Sequence, residues 1–344
     1  KILINSCYGY MGNKHAPIGD DDIASSVTLT GQAVIKYSNE LIKEFIKKEV
    51  PDISDSELEG CIIYNDTDSS YVSITPLVSK GLKFLDGEDI HKETFGKIQE
   101  IEDYLNEGVD KWAKKALLSK DNRFVFKREC IADVGVFLQK KRYVMHVLDD
   151  EGIKENKFKY TGVEVVRTTM PNAIKPYAKK IIETMLTTQS LSKTNALLNE
   201  TYEIFKGLDP QELAFVMGVK GYEKYATQCN QFTTTKGMPI HVKSAYFYNL
   251  LLDKLNTGNK YEAIGTGDKV RFMYIEQPNK FGLESIGFKY DYPKEFGTLF
   301  KPDYDKMFEK ILFQAIERFY DNVGWKIRKP SENVTVELFD LFGK

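Results

Sequence analysis

The chain has 344 residues, 42% of them hydrophobic and 28% charged, and a net charge of −2. That is the balance of a globular protein with a real core and about two domains, and no apolar run approaches the ~18 residues that a membrane span requires. The four cysteines (Cys7, Cys61, Cys130, Cys229) and four histidines (His15, His91, His146, His241) are scattered, which argues against a zinc site, a disulfide framework or a histidine metal centre and favours a reducing compartment, the cytoplasm.

The chain opens on Lys1 rather than Met, with no secretory or transit segment, as expected of a processed or excised piece. Residues 1–13 read as the end of a helix broken at Gly9 and Gly12. Lys1, Asn5, Tyr8 and Gly12 share one face of it. A lysine there suits a triphosphate and a tyrosine suits a base pair, although a merely solvated face has the same pattern. The run Asp20-Asp21-Asp22 suits a helix N-terminus. The spacing then predicts a helix over 24–48, with an apolar stripe at Val27, Val34, Leu41, Ile42 and Phe45, closed by Pro51.

Residues 61–64 and 70–74 predict a hairpin around the polar turn Asn65-Asp66-Thr67-Asp68-Ser69. In extended geometry Asp66 and Asp68 point the same way. Carboxylates so placed can hold Mg²⁺ on phosphates during phosphoryl transfer, and a solvated Asp-rich turn is the other reading. A helical stretch to about residue 120 follows. Strands are then predicted at 123–131, at 142–148 and, after the turn Asp149-Asp150-Glu151-Gly152, at 157–166. The basic residues are local, Lys127-Arg128 and Lys140-Lys141-Arg142, and such clustering is what a nearly neutral chain needs if it meets nucleic acid.

Beyond Pro171 the pattern is mainly helical. Ile174, Tyr177, Ala178, Ile181, Ile182 and Met185 form one stripe, and Met307, Phe308, Ile311, Leu312, Ala315 and Phe319 another. Residues 269–296 between them are rich in strand and turn. The end is a polar stretch, 329–337, followed by the apolar cluster Leu338-Phe339-Asp340-Leu341-Phe342. The fold class is therefore α+β: an antiparallel sheet with packed helices, then a mainly helical part.

Two of these runs resemble the motifs of one family. Lys1-Ile-Leu-Ile-Asn5-Ser-Cys-Tyr8-Gly9 is similar to motif B (K-x-L-x-N-S-x-Y-G) of family B DNA polymerases, and Tyr64-Asn65-Asp66-Thr67-Asp68-Ser69 is similar to motif C (Y-x-D-T-D-S), in the family's order and at a compatible spacing. Lys140-Lys141-Arg142-Tyr143 resembles the element that grips the primer, and Gly162-Val-Glu164-Val-Val-Arg167 resembles the palm-to-thumb junction. Pro239-Ile-His241-Val-Lys243, followed by Tyr248 and Asn249, resembles a thumb segment of T-even-type phage polymerases, and the Leu/Phe-rich tail matches in kind and place the clamp-docking tail of that subgroup.

The resemblance implies a fingers-helix end at 1–13, a palm at 14–162 and a thumb at 163–344. It implies Asp68 and Asp66 as catalytic and metal residues, with Glu129 as a third palm carboxylate for Mg²⁺. Lys127 stands where a second acidic residue is usual, which weakens a metal role for that strand. Nucleotide binding falls to Lys1, Asn5, Tyr8 and Thr67. Contacts to primer–template DNA fall to Lys140, Lys141, Arg142, Tyr143, His241 and Lys243. Sliding-clamp binding falls to Leu338, Phe339, Leu341 and Phe342. Motif A (D-x-x-S-L-Y-P-S), the upstream nucleotide-binding residues of the fingers and the exonuclease signature are absent; Asp291-Tyr-Pro293 lacks the rest of motif A. The expectation is thus a polymerase divided between two chains, or cut by processing, whose N-terminal half supplies the missing parts and shares two Mg²⁺ ions, working in the cytoplasm, the host's if viral. A non-catalytic DNA- and clamp-binding subunit is the competing reading. A reverse transcriptase is a weaker one, because its Y-x-D-D turn lacks the intervening threonine.

Overall fold

The computed structural model describes residues 2–78 and 92–332 of the chain. They form a mixed α+β fold in two compact units. One unit holds the chain up to Asp133 together with His146–Lys157, and the other holds Val134–Met145 with the chain from Phe158 onward.

The first unit contains α1 (Ile2–Met11), α2 (Asp21–Glu49), α3 (Asp55–Gly60), β1 (Ile62–Asp66), β2 (Ser69–Val72), α4 (Thr75–Val78) and α5 (Lys92–Ala116). The Asp20 carboxylate accepts from the N–H groups of Asp22 and Ile23 at 2.9 and 3.1 Å and so starts α2. The core lies between α2 and α5: Val34, Leu41, Ile42 and Ile46 meet Leu105 and Val109, with Ile62 and Val72 of the hairpin packed against them. Burying each such aliphatic side chain contributes roughly 1.5–3 kcal/mol.

Two expectations change in this unit. α1 continues through Gly9 and ends at Met11, because one glycine in a helix costs only about 1 kcal/mol. Val27 is exposed, so the buried stripe of α2 runs mainly from Val34 onward, where α5 covers it.

β3 (Cys130–Gln139), β4 (Arg142–Asp150) and β5 (Ile153–Thr161) form a sheet in the order β3–β4–β5. Two-residue turns join them, so neighbours are antiparallel. The expected strand at 123–131 is displaced. Residues 122–129 are extended, with Phe124 and Phe126 partly buried and Val125, Lys127 and Glu129 exposed, but they lie on α5 rather than in the sheet. Asn106 replaces a partner strand: its amide donates to the Phe126 carbonyl and its carbonyl accepts the Phe126 N–H, both at 2.8 Å. The Arg128 N–H donates to Glu102 in the same way, at 2.9 Å. The last strand of this sheet also runs earlier than expected, and Glu164–Val166 is a 3₁₀ turn.

The second unit continues with α6 (Lys175–Thr188), α7 (Leu191–Lys206), β6 (Phe215–Gly218), α8 (Tyr222–Ala226), α9 (Ile240–Lys254), β7 (Lys269–Tyr274), β8 (Ser285–Phe288), α10 (Lys294–Gly297), α11 (Tyr304–Phe308) and α12 (Gln314–Asn322). β6, β7 and β8 form an antiparallel sheet with β7 in the middle. Helix α9 lies so close on it that a Cβ at Gly287 would stand 2.7 Å from the Ser244 carbonyl oxygen. The stripe from Met307 to Phe319 is buried throughout, although a π turn at Glu309–Phe313 separates α11 from α12. Among the described residues no helix is long and apolar enough to cross a membrane. The tail residues Leu338, Phe339, Leu341 and Phe342 lie outside the described residues.

Candidate active site

The acidic turn is the tip of the β1–β2 hairpin. Asp66 pairs with Ser69, Asn65 with Ser70 and Tyr64 with Tyr71, and the register shifts between Ile62 and Tyr64. That shift decides where the carboxylates face. In an unbroken strand Ile62, Tyr64 and Asp66 share one side. Here the irregularity lets Ile62 pair with Val72 toward the core while Asp66 takes the opposite face. The core face is tied down by the Ser70 hydroxyl, which lies within hydrogen-bond distance of the side-chain oxygens of Asn39 on α2, at 3.0 Å, and of Asn65, at 2.7 Å. On the other face the rings of Tyr64 and Tyr71 lie 5.4 Å apart.

The tip itself is strained. The Asp68 N–H donates to the Asp66 carbonyl at 2.7 Å, which closes a three-residue turn around Thr67. Thr67 sits at φ 58°, in the left-handed region. For a β-branched residue that is an outlier costing about 1–2 kcal/mol, and such strain gathers where function requires a fixed geometry. The Thr67 hydroxyl donates to the Asp66 carboxylate at 3.2 Å, and Thr67 and Asp68 are both exposed. Asp68 is therefore presented outward, not spent on the fold.

Glu129 does not join this pair. It ends the extended segment on α5 and is exposed like Lys127, because the intervening Arg128 turns inward to Asp149 (3.0 Å) and to the ring of Phe95 (5.1 Å). Among the described residues no three His, Cys, Asp or Glu side chains gather into a group that would hold a metal ion. Two carboxylates at one tip do not fill the coordination sphere of Mg²⁺, let alone of two ions. Of the expected nucleotide-binding residues, Lys1 lies outside the described residues, Asn5 is on α1, and Tyr8, one turn further, is exposed.

Comparison with known proteins bears on the same residues. The model of DNA polymerase family B matches residues 1–83, which span α1, α2 and the acidic hairpin. The DNA-directed DNA polymerase of Escherichia phage RB69 is 25% identical over 99% of this chain and 38% of its own length. That of Enterobacteria phage T4 is 26% identical over 94% of this chain and 36% of its own length. Over most of its length the chain is similar to DNA polymerases of family B. It spans under two-fifths of the length of these two relatives. A DNA polymerase of Pyrococcus glycovorans is 28% identical over 59% of the chain.

The other described family-type elements lie in the second unit. Lys140 and Lys141 are the two loop residues between β3 and β4; both are exposed, and Lys141 has φ 60°. Arg142, at the start of β4, is half-buried and donates to Glu164 at 2.8 Å. Tyr143 is 5% exposed and stacks on Phe137 at 5.1 Å. It therefore packs behind the turn instead of standing on its surface, because both faces of β4 are covered at this end, where Tyr143, Val144 and Met145 are buried in succession. His241 is in the first turn of α9, and burial pushes its pKa below the ordinary 6.5. The ring is thus neutral near pH 7, a hydrogen-bonding group rather than a cation; Lys243, on the same turn, is half-buried.

Two arrangements carry no sequence signal. His146 is bracketed across the sheet by Asp133 at 2.8 Å and Asn156 at 2.7 Å. Arg318 of α12, in no motif, donates to the same Glu164 oxygen as Arg142 does.

Proposed function

We propose that this chain is the C-terminal portion of a DNA-directed DNA polymerase, which adds deoxynucleotides to a primer 3′ end together with a second polypeptide carrying motif A and the exonuclease. In this reading residues 1–13 end the fingers helix, 14–162 belong to the palm and 163–344 form the thumb with a clamp-binding tail. The observation that carries it is the strained, exposed tip at Asp66-Thr67-Asp68 in a family B sequence: two carboxylates held outward on a hairpin anchored to the core.

The tip alone is not a metal cage, so no chemical step is assigned to this chain by itself. With a partner aspartate, Asp68 and Asp66 would help to hold two Mg²⁺ ions, which supply charge neutralisation and an activated primer hydroxyl. Lys1, Asn5, Tyr8 and Thr67 would receive the nucleotide. Lys140, Lys141, Arg142 and Lys243 would hold the duplex backbone without reading its sequence, with Tyr143 supporting from behind and His241 as an uncharged contact. The setting would be the cytoplasm, that of the host for a phage protein.

The test is primer extension with the chain, a candidate N-terminal half and both together. Extension is expected only from the mixture. Asp68→Ala should lower it by on the order of 10³-fold while duplex binding stays within about twofold. Robust extension by this chain alone would refute the divided arrangement. Extension unaffected by Asp68→Ala would favour a non-catalytic DNA- and clamp-binding subunit.

A further inference from the structure

The Lys140-Lys141 loop is held by more of the chain than its own hairpin. Lys141 adopts a left-handed conformation that a non-glycine residue keeps only when its surroundings enforce it. Gly162, at φ 61°, lies directly against it: a Cβ there would stand 2.1 Å from the Lys141 carbonyl oxygen. The Arg167 guanidinium donates to the Gly162 carbonyl at 3.1 Å and closes the far side of this contact.

Two residues on, one oxygen of the Glu164 carboxylate accepts from both Arg142, at the base of the loop, and Arg318 of α12. Asn322, one turn beyond Arg318, donates to the Phe137 carbonyl of β3 at 3.1 Å. The second Glu164 oxygen is buried and has no hydrogen-bond partner. A carboxylate so placed is committed to its two guanidiniums, since swinging away would leave a half-buried Arg142 uncompensated. One carboxylate shared by two guanidiniums leaves a net positive charge of one beside Lys140 and Lys141.

A groove of about 500 Å³ opens beside the bridge, lined by Leu138, Gln139, Arg142, Arg318, Asp321 and Asn322. Asp321 in its wall disfavours an anion inside, so the bridge acts on the loop next to it. We propose that Glu164 is the positioning residue of the basic loop. By clamping Arg142 to Arg318 it fixes the direction in which Lys140 and Lys141 meet a phosphodiester backbone. A lysine on a loose loop loses affinity to the cost of ordering it, whereas a pre-set loop does not. The inference rests on the proposed contact between this loop and DNA.

The experiment titrates the full chain with a fluorescein-labelled primer–template duplex over a series of salt concentrations, reading anisotropy. Lys141→Ala should weaken binding and lower the salt slope by about one, as losing a phosphate contact does. Glu164→Gln should weaken binding about fivefold with the salt slope unchanged, because no phosphate contact is removed, only its pre-arrangement. In a double-mutant cycle the effect of Glu164→Gln should vanish on a Lys140→Ala, Lys141→Ala background, since a positioning residue acts only through the residues it positions. A general structural defect would persist there.

Should Glu164→Gln unfold, Arg318→Ala on the exposed side of the bridge gives the same comparison. Wild-type affinity in Glu164→Gln or Arg318→Ala, with Lys141→Ala weakened, overturns this inference alone. Wild-type affinity in the Lys140→Ala, Lys141→Ala double variant removes instead the DNA-contact reading beneath it.

Discussion

Two of the hairpin tips among the described residues share a plan and are supported in opposite ways. Each has a two-residue loop with a non-glycine residue in the left-handed region, Thr67 between β1 and β2 and Lys141 between β3 and β4. The basic tip is buttressed from outside its hairpin by Gly162, Arg167, Glu164 and Arg318. The acidic tip is fastened at its root, through Ser70 to Asn39 and through Ile62 and Val72 to the core, while Asp68 stands exposed. In the proposed reading the basic tip, which would grip DNA, is completed within this chain, whereas the acidic tip would need metal ligands from a second polypeptide.

Breaking the buttress should give the largest effect on stability. Gly162→Ala places a methyl group against the Lys141 carbonyl at a positive φ, and is expected to destabilise the second unit by about 2–3 kcal/mol, visible as a lowered melting temperature. A melting temperature equal to wild type would show that the loop yields easily. Relieving the strain sharpens the contrast with a smaller effect. Thr67→Gly and Lys141→Gly should each stabilise the chain by about 0.5–1 kcal/mol, because glycine accepts the left-handed region. The two should part in function: Thr67→Gly lowers extension by the reconstituted enzyme, and Lys141→Gly lowers duplex affinity. If either glycine variant unfolds at lower temperature than wild type, strain is not what distinguishes that tip.

The smallest effect is a pH dependence. Burial lowers the pKa of His241, so as pH falls the unfolded chain takes up this proton first. The stability contributed by the neutral ring is complete above about 6.5 and is lost as pH falls toward the depressed folded value. His241→Gln should flatten the fall in melting temperature between about pH 7 and pH 5, and should leave the salt slope of DNA binding unchanged, unlike Lys243→Ala. Equal pH profiles in wild type and variant would show that the ring is not buried in the way described.

Much of this was legible in the residues alone. The Asp20 cap, the α2 stripe from Val34, the acidic hairpin and the buried stripes of α6 and of 307–319 follow from periodicity and capping, which are local properties. The alternation at 122–129 was legible as well, but not its partner. A strand and an extended segment on a helix have the same period, and only the Asn106 side chain, reaching across from α5, takes the backbone bonds that a neighbouring strand would have taken.

Sequence by itself carried the likeness to family B DNA polymerases, the type of nearly every long element and the charge of the acidic and basic turns. Tertiary structure decided which way they point. A one-residue register shift turned Asp66 away from the core, packing on both faces of β4 put Tyr143 behind its turn, and Arg318 reached a carboxylate 154 positions away. The reason is physical: residue type and period are set by neighbours along the chain, whereas orientation and ion pairing depend on surfaces that meet only once the chain has folded.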